Sequence, residues 1–198
     1  MPIQKEVERR INALPSGQAF QPSLFGSLGS RASIDQALSR LARAGRIERI
    51  QQGIYVKPKT GRFVARALPR AEEVARAIAA AQGHPVQLHG AEAARQLGLT
   101  TQHPAHPVLL TTGVSKPKII RVGKSRAELR PASARRLLLA GRPAGTALSA
   151  LWYLGKEGVT HEALATVRRT LGAEEFEVLY DHRTGLPQWL REALEAHQ

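Results

Sequence analysis

The apolar positions of this chain recur at helical and strand spacings between Gly and Pro breaks. Ile3 to Leu14 puts Ile3, Val7, Ile11 and Leu14 on one helical face, and Pro15-Ser16-Gly17 stops it. Gln18-Ala19-Phe20 reads as a short strand that pairs with a later hairpin. Pro22 suits a helix start, so Ser23 to Leu28 is expected as a short second helix with Leu24, Phe25 and Leu28 apolar. After the turn at Gly29, Ile34, Leu38 and Leu41 recur at i, i+4 and i+7, with Ala37 beside them. Either Ser30 or Ser33 caps this third helix, Ser33 forming a capping box with Gln36. Gly45 supplies the left-handed residue that ends it. Ile47 and Ile50 then lead into Gln52-Gly53, a tight turn, and Ile54-Tyr55-Val56 returns as the second strand of a hairpin. Lys57 to Arg62, broken by Pro and Gly, reads as a strand end and linker.

The second half begins with a helix from Glu72 to Gln82 that buries Val74, Ala75 and Ile78 and stops at Gly83-His84-Pro85. Val86-Gln87-Leu88 is a short strand, Gly90 to Leu97 an Ala-rich helix ended by Gly98, and Val108 to Thr112 a strand by residue type. Ile119 to Val122 and Ala127 to Arg130 complete a small antiparallel sheet. From Thr146 the pattern is helical, with Leu148, Leu151, Trp152 and Leu154 apolar; His161 to Leu171, Glu174 to Tyr180 and Leu186 to Ala196 follow, with Pro187 early in the last. Trp152, Tyr153 and Trp189 are expected to anchor the core of these helices. The expected architecture is α+β: residues 1–66 a winged helix-turn-helix, residues 67–198 a mixed domain with a small sheet and C-terminal helices.

Charge sharpens this picture. The chain has 198 residues, a net charge of +13 and a sequence pI near 11.1, which implies a polyanionic partner. Residues 1–70 hold 13 Lys/Arg against 4 Asp/Glu, and residues 116–142 hold 9 against 1. The outer face of the third helix carries Ala32, Gln36, Ser39, Arg40 and Arg43 and no acid, with Asp35 at its edge. The expected DNA-binding set is therefore Arg31, Ser33, Gln36, Ser39, Arg40 and Arg43 on the helix, with Arg49, Gln51, Gln52 and Lys57 on the wing. Gln36 suits adenine and Arg40 guanine, while Arg31 and Arg43 suit phosphates. Arg121, Lys124, Arg126, Arg130, Arg135 and Arg136 are expected as a second phosphate-tracking strip.

Two stretches resemble a known family. Gly29-Ser30-Arg31-Ala32-Ser33-Ile34-Asp35-Gln36-Ala37-Leu38-Ser39-Arg40-Leu41, continuing through Gly45-Arg46-Ile47 and Gly53-Ile54-Tyr55, resembles the N-terminal domain of AbiEi-type antitoxins. Gly90 to Gln102 with its Leu97-Gly98-Leu99 turn, Pro104 and Val108-Leu109-Leu110-Thr111, resembles the domain that follows in that family. The resemblance spans about residues 3–130 and does not extend past about residue 145. It implies a type IV toxin–antitoxin or abortive-infection antitoxin, which represses its own operon by binding inverted repeats in its promoter. It further implies a nucleotidyltransferase-like toxin countered without a stable complex. Inverted repeats are compatible with a homodimer on DNA.

No catalytic constellation emerges from the residue pattern. No cysteine is present, no HExxH and no phosphate loop. His84 with His89, and His103 with His106, read as loop histidines rather than metal ligands, and Glu174, Glu175, Glu177 and Asp181 as a solvated face. No catalytic residue, metal or cofactor is expected. No apolar run is long enough for a membrane span and no signal peptide is read at the N-terminus, so the expected location is the cytoplasm. The alternative function is a stand-alone winged-helix regulator whose C-terminal half dimerises or senses a ligand.

Overall fold

The stripe Ile34, Leu38 and Leu41 decides how the N-terminal part of the chain packs. The computed structural model describes residues 3–61 and 64–197. In it Ile3–Ala13 forms α1, Ala19–Phe20 the strand β1, Pro22–Leu28 a 3-10 helix and Arg31–Arg43 the helix α2. Glu48–Gln51 (β2) and Ile54–Val56 (β3) make the hairpin. β1 pairs antiparallel with β3, Phe20 opposite Tyr55, giving the strand order β1-β3-β2. Ile34, Ala37, Leu38 and Leu41 share one core with Val7, Ile11, Phe25 and Ile47. Phe20 meets Phe25 edge-on at 5.7 Å and stacks on Tyr55 at 6.0 Å, the two arrangements aromatic pairs favour.

The second helix is 3-10 rather than α, and this changes what it buries. Three residues per turn align Pro22, Phe25 and Leu28 on one face. Phe25 is therefore fully buried, whereas Leu24, also apolar, is 47% exposed. Where a linker was expected, Lys59–Gly61 (β4) and Val64–Ala67 (β5) pair antiparallel; Arg62 lies outside the described residues. Ala71–Ala81 forms α3 and buries Val74, Ala75 and Ile78. The Glu73 carboxylate accepts the Arg70 backbone N–H at 3.1 Å and so closes its first turn.

Further along, Val86–Leu88 is β6, Gly90–Gln96 is α4, Val108–Thr111 is β7, Lys118–Val122 is β8 and Ser125–Pro131 is β9. The strand order is β6-β7-β9-β8. This sheet is mixed rather than antiparallel, because β7 and β9 run parallel. The reason is connectivity: β8 follows β7 in sequence but takes the edge, and β9 turns back to lie beside β7. The helices α5 (Pro143–Gly158), α6 (His161–Leu171), α7 (Ala173–Asp181) and α8 (Gln188–Glu195) close the chain. α8 begins two residues after the expected Leu186. Pro187 disfavours helical backbone in the residue before it, so Leu186 is extended, though buried.

The chain thus has an α+β fold and divides into two compact units. Unit 1 comprises residues 1–82 with 119–127, and unit 2 residues 83–118 with 128–198. Unit 1 runs past the expected boundary at residue 66 and takes in the turn end of the β8–β9 hairpin. The core of unit 2 joins Leu148 and Leu151 of α5 to Leu164, Phe176, Leu190 and Leu194. Trp152 and Trp189 are half-buried and meet edge-on at 6.2 Å; Tyr153, expected in the core, is 42% exposed. Among the described residues, no helix is long and apolar enough to cross a membrane.

α4 and α5 approach so closely that only glycine fits at position 90. A Cβ there would overlap Tyr153 Cβ and the Ser149 carbonyl oxygen, both on α5. Gly90→Ala is expected to destabilise the protein by about 1–3 kcal/mol, because this overpacking outweighs the roughly 1 kcal/mol that Ala gains over Gly in a helix. Urea denaturation of the full chain measures it, and an unchanged or higher midpoint would remove the close approach as a constraint.

Candidate nucleic-acid interface

Local chemistry at both ends of α2 fixes which of its faces is free. Ser30, not Ser33, is the N-cap, and its hydroxyl accepts the Ser33 backbone N–H at 3.3 Å. Gln36 is consequently not held in a capping box and is exposed. At the far end Gly45 has φ +70°, the Gly45 N–H donates to Ala42 O and the Arg46 N–H to Leu41 O, both at 3.0 Å. These two bonds are the Schellman closure that a left-handed glycine allows. With the stripe inside, Ala32, Gln36, Arg40 and Arg43 are exposed, and Ser33 and Ser39 half-buried.

The helix residues expected to bind DNA differ in freedom. Arg31 Nε pairs with Asp35 Oδ2 at 2.8 Å across one helical turn. Arg40 makes one long contact, from Nη1 to Gln4 Oε1 at 3.5 Å. Gln36 and Arg43 form no side-chain hydrogen bond or ion pair among the described residues.

The hairpin separates its four candidates more sharply. Gly53 at φ +71° makes the tight turn, with Arg49 and Gln52 exposed. Gln51 instead turns inward. Its Nε2 donates to Ile119 O at 3.1 Å, and its Oε1 is buried with no partner among the described residues. Lys57 is occupied too, its Nζ donating to Asn12 O at 2.7 Å and Leu14 O at 2.8 Å. A lysine there satisfies carbonyls left unpaired at the C-terminal end of α1 and offsets its dipole. Gln51 and Lys57 therefore hold the hairpin in place rather than present donors to a ligand.

The second basic strip also splits. Arg121, Lys124 and Arg126 are exposed, belong to unit 1 and make no ion pair among the described residues. Their hairpin is tied down in unit 1 by the Gln51 contact and by Ser125 Oγ, which accepts the Ala71 N–H at 3.0 Å. Arg130, Arg135 and Arg136 belong to unit 2 and are engaged there. Arg130 Nε donates to Glu128 Oε1 at 2.8 Å, Arg135 Nε to Gly185 O at 2.7 Å, and Arg136 sits 4.9 Å above the Trp152 ring. The division carries through to net charge. Unit 1 holds 17 Lys/Arg against 6 Asp/Glu, and unit 2 holds 12 against 10.

Unit 2 contains a cavity of about 210 Å³ that the spacing of residues did not reveal. His89, Arg136, Ser149, Trp152 and Tyr153 line it, drawn from three separate stretches of the chain. No local periodicity links them; the close packing of α4 on α5 does. Burial, and then the positive charges of Arg130 and Arg136, hold the pKa of His89 below the usual histidine range. Nearby, His106 is not a free loop histidine, since its Nε2 lies 3.2 Å from the buried Glu128 carboxylate. Glu175, expected on a solvated face, accepts the Ala144 N–H at 3.0 Å and Arg142 Nη2 at 2.8 Å, closing the first turn of α5. Among the described residues no three His, Asp or Glu side chains gather as a metal site would need.

Residues 6–179 match the family of unknown function DUF6088. The chain belongs to this family. Among solved structures, this DUF6088 chain is similar to the Rv2827c protein of Mycobacterium tuberculosis, with 15% identity and a TM-score of 0.39 over 100% of this chain and 80% of that one. Comparison with curated proteins gives no match.

Glu128 yields a prediction with a definite sign. The hydrogen bond from Arg130 and then the one from His106 hold its pKa below the usual carboxylate value of 4.5, against an opposing effect of burial. A group with a depressed folded pKa stabilises fully above its unfolded pKa, and loses that stabilisation as pH falls through the folded value. Glu128→Gln is therefore expected to be less stable than the parent at neutral pH, with the gap closing below about pH 4. Denaturation midpoints at several pH values measure this, and a gap that widens in acid contradicts it.

Proposed function

We propose that unit 1 is a winged helix-turn-helix that binds DNA in a sequence-specific manner. The observation that carries the reading is the outer face of α2, where Gln36, Arg40 and Arg43 are exposed and no acid stands among them. The helix, strand, 3-10 helix, helix and hairpin order supports it, as does the excess of 17 basic over 6 acidic residues in this unit. α2 enters the major groove with Gln36 and Arg40 toward base edges, and Arg43 and Arg49 meet phosphates. Gln52 at the hairpin turn and the basic trio Arg121, Lys124 and Arg126 add contacts to the backbone.

On the resemblance to AbiEi-type antitoxins, the biological role is that of a type IV antitoxin. It represses its own operon through inverted promoter repeats and counters a nucleotidyltransferase-like toxin. The second reading, a stand-alone regulator that senses a small ligand, is favoured by one feature: the cavity of unit 2. An adjacent reading frame resembling a nucleotidyltransferase supports the first reading, and its absence supports the second.

A gel shift of the full chain on the DNA upstream of its own gene tests the reading. Selective binding to an inverted repeat is expected; no binding at any salt concentration would sink it. Arg40→Ala is expected to cost about 1–3 kcal/mol and to relax preference at one base pair. An equal loss on every sequence would assign Arg40 to the backbone instead. Replacing Arg121, Lys124 and Arg126 by Ala is expected to flatten the plot of log affinity against log salt by about 0.9 for each phosphate no longer neutralised, leaving base preference unchanged. An unaltered slope would place that trio off the DNA.

A further inference from the structure

Two histidines of unit 2 meet nitrogen to nitrogen. His161 is the first residue of α6, and His197 lies just beyond the last turn of α8. Their Nδ1 atoms are 2.9 Å apart and their ring centroids 4.4 Å apart. At that separation one Nδ1 carries a proton and the other accepts it through its lone pair. His197 is only 9% exposed, and the Phe176 ring of α7 meets it edge-on at 6.1 Å. This one side chain therefore joins the end of α8 to both α6 and α7. The helix has reason to need it. Two turns are too short to be stable alone, so α8 depends on the burial of Leu190 and Leu194 and on this contact at its end.

The charges around the contact share one sign. From α6 comes Arg168, its guanidinium 5.4 Å from the centroid of the Phe176 ring; α7 presents that uncharged ring. No carboxylate pairs with either imidazole among the described residues. Glu195 of α8 is engaged by Arg183 at 3.3 Å, and Glu192 accepts Gln188 Nε2 at 2.7 Å. Glu162, beside His161 in the chain, lines a separate cavity with Gly98 and Thr166. Burial, and then the positive charges of His161 and Arg168, hold the pKa of His197 below the usual histidine range. A neutral pair, or a pair with one ring protonated, keeps the bond, because one Nδ1 still has its lone pair. With both rings protonated neither can accept, and two imidazolium rings face each other near Arg168.

We propose that the His161–His197 contact is an acid-released fastening, which holds the end of α8 on α6 and α7 near neutral pH and lets go of it in mild acid. A histidine with a lowered folded pKa takes its proton more readily in the unfolded chain. The stabilisation from this contact is therefore present above the unfolded histidine value of about 6.5 and is lost as pH falls below it. The fastening lies wholly within unit 2 and does not depend on whether unit 1 binds DNA.

The test is amide hydrogen exchange of the full chain, read residue by residue by NMR and corrected for the intrinsic effect of pH on exchange. Protection at Leu194 and Ala196 is expected to fall at least about tenfold between about pH 7.5 and about pH 5, and that at Leu148 and Leu151 of α5 by less than about threefold. His197→Phe keeps a ring against Phe176 but cannot titrate, so its α8 amides are expected to be protected alike at both pH values. His161→Gln, a change at an exposed position, removes the neighbouring charge; the His197 ring is then expected to titrate closer to the usual histidine value. Protection in α8 that follows α5 at both pH values overturns the fastening. So does His197→Phe losing α8 protection in acid as the parent does, or His161→Gln leaving the titration of His197 unmoved.

Discussion

One stripe of apolar side chains sets the geometry on which the N-terminal unit depends. Ile34, Leu38 and Leu41 are at most 2% exposed, and no rotation of α2 keeps all three inside while turning Gln36 and Arg40 inward as well. The polar face is therefore a consequence of the core. Burying three such side chains stabilises by several kcal/mol, about 1.5–3 kcal/mol each, far more than any surface ion pair on the same helix. The Arg31–Asp35 pair is exposed at both ends and sets little. What a partner meets on α2 is decided by hydrophobic burial and trimmed by charge.

How much of this was legible in the chain depends on how far apart the deciding residues lie. Gly45 and Gly98 end their helices as read, because a left-handed closure is a local event. The strand β1 and its pairing with the returning strand of the hairpin were also within reach, since short alternating segments separated by Pro and Gly leave few options. The roles of Gln51 and Lys57 were not. Both resemble wing donors in sequence, and both are consumed by backbone carbonyls 68 and 43–45 residues away. The parallel pairing of β7 with β9 escaped for the same reason: residue type predicts a strand but not its neighbour. Leu24 escaped for a different one, a change of period from 3.6 to 3 that a seven-residue segment with Pro and Gly does not announce.

Charge followed the same rule. Along the sequence the chain carries two basic segments, one of them running from Arg121 to Arg136. In three dimensions that segment divides between units, and the halves meet different fates. The exposed trio on the β8–β9 hairpin keeps its charge unneutralised, while Arg130 is paired with Glu128 and Arg135 and Arg136 are drawn onto unit 2. A formal charge of +13 thus resolves into a strongly basic unit 1 and a nearly balanced unit 2. Affinity for a polyanion follows unpaired charge rather than the count, so unit 1 is where such a partner gains most.

The same distinction separates the cavity of unit 2 from the basic surface of unit 1. A surface crowded with mobile cations attracts any phosphate backbone and discriminates little among small anions. A half-enclosed space lined by one guanidinium and one neutral imidazole does the reverse. Its polar groups are few and partly desolvated, so a hydrogen bond made there gains strength from the low local dielectric. Gly90 is central to that enclosure: the missing side chain lets α4 lie against Ser149 and Tyr153, and so brings His89 alongside residues some sixty positions further along the chain. The packing constraint that stabilises unit 2 thus also brings His89 to the cavity lined by Ser149, Trp152 and Tyr153.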